Sequence, residues 1–397
     1  MAWFWLRYLT LRRVPEADPL AGTPGALASR LIPFGDGFAR RAEITDYGAG
    51  FSHNVRGVGA HRVMQRQALL LTRSPEGLPP AAVRRYQVLV CAVTIAACVP
   101  YLVLKVLWLS GNMIGWNDKS QAGDAVHVVG NVATVGMDLI AIGIVLAFTF
   151  RWGQQLPAWL VLLPMWVATG LLAPIALGVP AGALVGALQG SLVVQGNGLD
   201  GWVYAVVYGG FTVQAGAMAA AFLLYARTRW ADVFRNRLAD LHRGATYAMQ
   251  RLIVVSGTLV AVPYAATFIA YGFGIGLSPD QIIARTTAQK VALIVTGLLS
   301  LAGLVGMHLL TTRSRRYARI PLWVPLALGW VGASSIFASS LYRLIGVLEG
   351  AGETGITGLG DLVLLGGMLA GLLMGVAGLM LLAERQPDST PTANALR

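Results

Sequence analysis

Eight apolar segments of about 20 residues each, the length needed to cross a hydrocarbon core, alternate with shorter polar stretches along this chain. Pro164, Pro174 and Pro180 interrupt the third segment and make its extent the least certain, although a spanning helix tolerates proline when its neighbours satisfy the freed carbonyl groups. The pattern predicts an all-α integral membrane protein with eight transmembrane helices. The predicted spans are residues 88–110, 126–150, 157–177, 202–225, 252–273, 291–310, 321–342 and 362–383.

Short motifs of the first four segments return, in the same order, in the last four. The pairs are Val99-Pro100-Tyr101 with Val262-Pro263-Tyr264, Pro157-Ala158-Trp159 with Pro321-Leu322-Trp323, and Gly186-Ala187-Leu188-Gln189-Gly190 with Gly346-Val347-Leu348-Glu349-Gly350, at offsets of 163, 164 and 160. Because each copy has an even number of spans, both enter the membrane from the same side. The sequence therefore predicts two parallel four-helix repeats, and in such folds a pathway or substrate site is expected at the interface between the halves.

The cationic residues predict the orientation of these spans. Cytoplasmic loops of membrane proteins carry an excess of Lys and Arg. With the N-terminus inside, 25 of the 30 cationic residues fall on the cytoplasmic side and four fall outside, while Lys105 lies within a span. The orientation is N-in/C-in.

Composition supports a membrane environment and removes a competing explanation of the net charge of +12. Charged residues make up 12% of the chain, about half of what a soluble domain carries. We expect the lipid bilayer to cover the apolar surface. The positive charge follows the loops and accompanies no recognition motif, so no nucleic-acid partner is expected.

The polar stretches at the ends and in the middle divide the chain further. Trp230, Phe234, Leu238 and Leu241 fall at helical spacing, which predicts an amphipathic helix on the inner leaflet that joins the two halves. The predicted parts are 1–85, a basic cytoplasmic segment that is partly disordered or interfacial; 86–225, the first repeat; 226–250, the cytoplasmic amphipathic linker; 251–385, the second repeat; and 386–397, a disordered tail.

Asp138 is the sharpest candidate for function. It lies near the middle of the second span, where a charged carboxylate costs about 2.5–3.5 kcal/mol on insertion scales and usually faces a bundle interior or a water-filled cavity. One interpretation is a carboxylate that couples transport to protons or cations. The alternative is a structural acid that is hydrogen-bonded to Thr134 or to a neighbouring helix.

Lys105 is the second charged residue within a span. Its long side chain is expected to reach the membrane interface, as lysines near span ends do. The alternative is an ion pair with Asp138, which requires helix offset or tilt because about 10 Å of depth separates the two residues. In the second half Lys105 corresponds to Phe268 and Asp138 roughly to Ala302, so the sequence indicates the first half for the polar lining of a site.

Polar residues near the outer span ends form another candidate group. Gln189 and Glu349 occupy equivalent positions in the two halves, and Asp200 and Asp361 follow at the start of the next spans. These four side chains could converge over an outward-facing vestibule. For Asp200 and Asp361 we expect helix capping instead, because Asp at a helix start accepts from free N–H groups.

No motif for catalysis, cofactor binding or metal binding accompanies these residues. The chain has no Gly-Lys-Ser/Thr phosphate loop, no His-Glu-x-x-His motif and no Gly-x-Ser-x-Gly motif. Cys91 and Cys98 are seven residues apart on one apolar segment, about 10 Å along a helix axis, so they are expected to be buried apolar residues rather than a disulfide. We expect no catalytic residues, no cofactor and no bound metal.

Two stretches, residues 101–116 (YLVLKVLWLSGNMIGW) and residues 151–166 (RWGQQLPAWLVLLPMW), resemble multi-pass membrane proteins of GC-rich actinobacteria. The resemblance covers residues 86–385 and implies a membrane protein without implying an activity. We expect the chain to be a multi-pass protein of a bacterial cell (inner) membrane.

The leading functional hypothesis is therefore a transporter-like protein for a small or amphipathic solute, with Asp138 as a coupling residue. The first alternative is a non-catalytic membrane subunit or scaffold that partners a separate ATPase or biosynthetic enzyme. The second alternative is a membrane-embedded enzyme that acts on a lipid. A homodimer or a partner membrane subunit is compatible with each hypothesis.

Overall fold

The computed structural model describes residues 80–117, 125–190, 199–277, 286–350 and 358–384. Within them it has eight helices that are long and apolar enough to cross a membrane, as the hydrophobic pattern predicts. The chain is therefore an all-α polytopic membrane protein. The long helices are α1 Pro80–Leu109, α2 Ala125–Thr149, α4 Ala158–Leu188, α5 Gly201–Arg229, α7 Tyr247–Gly272, α8 Thr287–Thr312, α9 Trp323–Gly350 and α10 Leu359–Ala383; the short ones are α3 Arg151–Gln155 and α6 Ala231–Arg235.

Helix α4 is longer than the predicted third span and continues through its three prolines. Its glycines lie against neighbouring backbones: a Cβ atom built on Gly170 would lie 2.0 Å from the carbonyl oxygen of Ser334, and one on Gly178 would lie 2.7 Å from the Cα atom of Ala292. Close packing on α9 and α8 holds the part of α4 that contains these glycines in place. The helix therefore continues beyond the point where the prolines suggest an end.

The second half of the chain forms a closely packed four-helix bundle. Each of α7, α8, α9 and α10 packs against the next, and α10 returns to α7. Glycines allow the closest approaches, because without side chains they let helix axes come together. At the α8–α9 seam a Cβ atom on Gly303 would lie 2.6 Å from the Cα atom of Gly332. The interior between the helices is filled by Tyr264, Phe268 and Met374, which are almost fully buried.

Helix α4 connects the two halves, since it packs on α8 and α9 as well as on α5. Each helix contributes one tryptophan to the contact between α4 and α9. Trp166 of α4 stacks on Phe337 of α9 with ring centroids 5.0 Å apart. Trp330 of α9 donates its indole N–H to the Thr169 hydroxyl of α4 at 3.3 Å.

The first half is packed less closely around α2 and α5. Gly136 and Gly143 of α2, and Gly209 and Gly216 of α5, have no other described atom within 4 Å of where a Cβ atom would lie. One closer approach is that of Gly210, whose Cβ atom would lie 3.1 Å from the carbonyl oxygen of Ala97 in α1. The two halves therefore differ in packing as well as in sequence.

The prediction of an amphipathic helix in the linker is wrong. Helix α6 ends at Arg235, Asn236 is extended, and a 3₁₀ turn covers Leu238–Asp240. The backbone N–H of Leu238 bonds to the carbonyl of Ile320, and that of Leu322 bonds to the carbonyl of Asn236. This pairing with the loop that precedes α9 takes the place of helical hydrogen bonds. It also buries Leu238 in the core of the second half.

Candidate intramembrane polar site

A set of polar side chains meets between α1, α2 and α5 of the first half. Asn131 and Asp138 are seven residues apart on α2 and so lie on the same helix face, two turns apart. Lys105 approaches that face from α1 and Gln214 approaches it from α5. All four residues are buried.

Lys105 is held at the outer end of this set. Its Nζ donates to Asn131 Oδ1 at 2.6 Å. The same ammonium group lies 4.7 Å from the ring centroid of Tyr101 and 5.0 Å from that of Trp108. One amide oxygen and two aromatic faces thus stabilise the charge by a charge-assisted hydrogen bond and by cation–π attraction.

Asp138 lies deeper in the span, and 4% of its surface is exposed. Its Oδ1 accepts a hydrogen bond from Nε2 of Gln214 at 3.3 Å. Its second oxygen, Oδ2, is buried and has no donor among the described residues. The carboxylate is therefore bound to a neighbouring helix, as one sequence interpretation expected, yet only half of it is satisfied.

Gln214 has the same incomplete bonding. It is 3% exposed, and its Oε1 is buried without a donor among the described residues. The hydrogen bond between Asp138 and Gln214 therefore joins two side chains that each have one buried acceptor without a donor among the described residues. Buried acceptors of this kind are rare in folded proteins and cost about 1–3 kcal/mol each.

Thr134 takes no part in holding the carboxylate. Its hydroxyl donates to the carbonyls of Gly130 and Asn131 on its own helix, at 2.8 and 3.0 Å. The other wall of the site comes from α1, where Cys98 and Tyr101 lie within electrostatic reach of Asp138. Thr134 therefore belongs to the lining of the site, while Gln214 supplies the bond.

Lys105 and Asp138 form no ion pair among the described contacts. Only 7% of the Lys105 surface is exposed. Its side chain bonds to Asn131 rather than extending to the membrane interface. The separation of about 10 Å along α2 explains why the two charges do not touch. Each charge is instead held by an amide.

Aromatic rings line the outer part of the α5 face that ends at Gln214. Tyr204, Tyr208 and Phe211 follow one another at intervals of four and three residues, with ring centroids 6.1 and 6.4 Å apart. Phe211 also contacts Tyr101 of α1 edge to face at 5.0 Å. A continuous aromatic surface therefore leads from the outer end of α5 to the polar pair.

The second half has an apolar arrangement where the first has Lys105. Phe268 stacks on Tyr264 with centroids 4.4 Å apart, while in the first half the Lys105 ammonium group lies over Tyr101. Tyr264 and Tyr101 are the tyrosines of the repeated Val-Pro-Tyr motif. The two tyrosine sites thus differ in where the cation lies: the Lys105 ammonium group lies over Tyr101 itself, whereas the Arg343 guanidinium group lies 5.2 Å from the ring centroid of Phe268.

The outer vestibule is not assembled among the described side chains. Gln189 is exposed at the C-terminal end of α4. Asp361 accepts from the backbone N–H of Gly358 at 3.2 Å and so caps α10, as expected. Asp200 occupies the N-cap position of α5, but its carboxylate accepts from the Trp202 indole at 3.3 Å instead of capping. The side chain of Glu349 lies outside the described residues.

The expectation of a polar site at the interface between the halves is not met in the described part of the chain. That interface is the seam of α4 on α8 and α9, where Gly170, Gly178 and Gly182 bring backbones into contact. Such close approach leaves little space between the backbones, and a hydrogen bond there joins the Trp330 indole to the Thr169 hydroxyl. The polar site lies within the first half instead.

The chain matches no protein-family model, no curated protein and no solved structure. Its function is therefore inferred from the geometry of the site. Among the described residues, no three His, Cys, Asp or Glu side chains group together as a metal site would require.

Sequence reasoning found Asp138 and Lys105 but missed Asn131 and Gln214. Both are amides within long apolar segments, and Asn131 lies two turns from Asp138 on the same helix. That spacing was available as a signal for Asn131. Nothing in the sequence indicated that Gln214, 76 residues from Asp138, would be its partner.

Proposed function

We propose that this protein is a transporter-like membrane protein for a small or amphipathic solute, with Asp138 as the residue that couples movement to protons. The observation that carries the proposal is the half-bonded carboxylate of Asp138, buried in the middle of a span. A purely structural acid would be expected to have its acceptors satisfied. Ionisable residues within membranes commonly mark ion or substrate pathways.

The difference in packing between the halves supports this proposal. The described glycines of α8 and of α9 face a neighbouring atom at close range, whereas Gly136 and Gly143 of α2 do not. A rigid half beside a more open half provides one element against which another can move. We propose that α2 and α5 move relative to the bundle of α7 to α10 and thereby change access to Asp138.

The proposal includes the parallel four-helix repeat. A Cβ atom on Gly170 of α4 would lie 2.0 Å from the carbonyl oxygen of Ser334 in α9, and these two residues are 164 apart, the offset of the repeated tryptophan motif. Contact between equivalent positions is what a pseudo-two-fold axis through the α4–α9 crossing would produce. We also propose a bacterial inner membrane, consistent with the resemblance to actinobacterial proteins.

Flux through the purified protein in vesicles tests the function. With an imposed proton gradient and a pH-sensitive dye inside, wild type is expected to dissipate the gradient faster than empty vesicles. Asp138→Asn is expected to abolish this excess, because the amide keeps the size of the carboxyl group but cannot exchange a proton. The matched control is Asp361→Asn, which removes an acid from a helix cap and is expected to leave the flux unchanged.

Equal, gradient-independent flux in wild type and Asp138→Asn would eliminate proton coupling through this residue. Size-exclusion profiles of the three proteins establish that each is folded. Loss of flux in both variants would assign the effect to lost charge in general rather than to the site.

A second candidate function is a non-catalytic membrane subunit or scaffold. The contact between the halves favours it, because α4 meets α8 and α9 through closely packed glycine seams. The open glycines of α2 would then face a helix of a partner subunit or of a second copy. Identical flux with and without protein, together with co-purification of one membrane partner, would favour this alternative.

A further inference from the structure

We propose that the Asp138–Gln214 pair binds the ammonium group of an amphipathic amine, whose apolar part lies along the aromatic face of α5. The inference names the ligand class for the site on which the proposed transport function rests. It rests on that function for movement only, and the binding can be tested on its own.

The unpartnered atoms of the pair determine the chemistry of the occupant. Asp138 Oδ2 and Gln214 Oε1 both accept hydrogen bonds, and neither has a donor among the described residues. Both side chains are more than nine-tenths buried. A proton on Asp138 supplies a single donor, whereas a primary ammonium group supplies three donors and a full positive charge. The ammonium group therefore fits two acceptors, one of them charged, better than a proton does.

Lys105 shows how this part of the protein holds an ammonium group. Its Nζ is bound by one amide oxygen, that of Asn131, and lies over two aromatic rings. Asp138 lies two turns further along α2. There one of its carboxylate oxygens and the amide oxygen of Gln214, on α5, offer acceptors of the same kind. Tyr101 lies near both places. Its ring lies under the Lys105 ammonium group, and its hydroxyl interacts electrostatically with the Asp138 carboxylate.

The aromatic face of α5 provides the path for the apolar part of the ligand. Tyr204, Tyr208 and Phe211 precede Gln214 on one helix face, and Tyr208 is 36% exposed. Aromatic faces attract organic cations and also bury apolar chains. The ligand that fits this surface has a cationic end and an apolar body.

The groups that face Asp138 define how binding depends on charge. From α1 they are Cys98, Tyr101 and Lys105, which is bound to Asn131, about 10 Å from Asp138 along α2; from α5 the facing group is Gln214. Lys105 repels a second cation across that distance. At an effective dielectric constant of about 20, repulsion at 10 Å weakens binding roughly tenfold.

One carboxylate can hold either a proton or the ligand ammonium group. Binding of the amine to protonated Asp138 therefore releases one proton and forms the ion pair: Asp–COOH plus R–NH₃⁺ gives Asp–COO⁻ paired with R–NH₃⁺, plus H⁺. Charge and atoms balance without another reactant. Competition of this kind would exchange the amine for a proton across the membrane.

Calorimetric titration of the full-length protein in lipid nanodiscs tests the ligand class. The probes are 2-phenylethylammonium, its trimethylammonium analogue, which lacks N–H donors, and 2-phenylethanol, which lacks charge; empty nanodiscs correct for partitioning into lipid. We expect wild type to bind the primary ammonium at least about tenfold more tightly than either analogue. Equal binding of all three probes would overturn the proposal without any variant.

Single substitutions test where the ammonium group binds. Asp138→Asn and Gln214→Leu are expected to weaken binding of the primary ammonium by about tenfold or more, and Asp361→Asn is expected to leave it unchanged. Lys105→Gln is expected to tighten binding about tenfold, because a like charge is removed. Weaker binding in Lys105→Gln, or unchanged binding in Asp138→Asn, would refute the arrangement.

The outcomes also separate this inference from the proposed function. Proton flux that depends on Asp138, without binding of the amine, would refute the ligand class and leave proton coupling intact. Amine binding that depends on Asp138, without flux of protons or amine, would refute transport and leave the binding site intact.

Discussion

At the scale of single residues, two kinds of buried polar group in the spans differ in where their partners lie. The hydroxyls of Thr94, Thr149 and Ser300 each donate to the carbonyl four residues earlier, so they are satisfied within one helix wherever that helix lies. The side chains of Lys105 and Asp138 find their partners on other helices. Only this second kind depends on the tertiary structure, and only it carries the proposed function.

Glu384 makes a testable contribution to stability at this scale. Its carboxylate accepts from the backbone N–H of Thr246, at the start of α7, and from Nε2 of Gln250 at 3.0 Å. Glu384→Ala leaves both donors without this partner and is expected to lower the free energy of unfolding by about 2 kcal/mol. Glu384→Gln keeps one acceptor and should lose less.

Reversible unfolding in mixed detergent micelles, followed by tryptophan fluorescence, measures this difference. A free energy of unfolding that is the same for Glu384→Ala as for wild type would show that the contact does not tie the end of α10 to the start of α7.

At the scale of elements, glycine seams determine which helices can meet. The seam of α8 on α9 brings Gly303 and Gly332 together, and the seam of α4 on α8 places Gly178 against Ala292. A glycine-rich face in the sequence indicates close packing but does not name the partner. The prolines of α4 similarly predicted an earlier end, because their cost depends on contacts that only the folded bundle shows.

A pair of matched glycine substitutions tests these seams. Gly303→Val places a side chain where a Cβ atom would lie 2.6 Å from the Gly332 Cα atom, and we expect it to destabilise the protein by about 1–3 kcal/mol or more. Gly143→Val makes the same chemical change on α2, where a Cβ atom meets no other described atom within 4 Å. We expect a change within about 0.5 kcal/mol there.

Thermal unfolding of the two variants, monitored by size exclusion with fluorescence detection, gives the comparison. Equal destabilisation would mean that α2 is covered in the membrane, by a second copy or by another subunit, and would favour the scaffold.

At the scale of the whole molecule, the distribution of cations predicts the N-in/C-in orientation. Phe273 follows α7 on the predicted outer side and is 71% exposed, while Tyr317 follows α8 on the predicted inner side and is 37% exposed. In intact cells, a membrane-impermeant maleimide is expected to label Phe273→Cys and to label Tyr317→Cys only after permeabilisation. Cys91 and Cys98 are buried and provide little background. The reverse labelling pattern would invert the assignment of sides.

The sequence by itself determined the number of spans, because the length and apolarity of a span are fixed by the bilayer and can be read locally. It also singled out Asp138 and Lys105, because a charge within an apolar run is conspicuous wherever the helix lies. Tertiary structure decided their partners: Asp138 bonds to Gln214, and Lys105 bonds to Asn131 instead of to Asp138. It also decided that α4 packs into the second half and that the linker pairs with the loop before α9 rather than forming one helix. Those outcomes depend on contacts between distant residues, which hydrophobic periodicity along one segment does not encode.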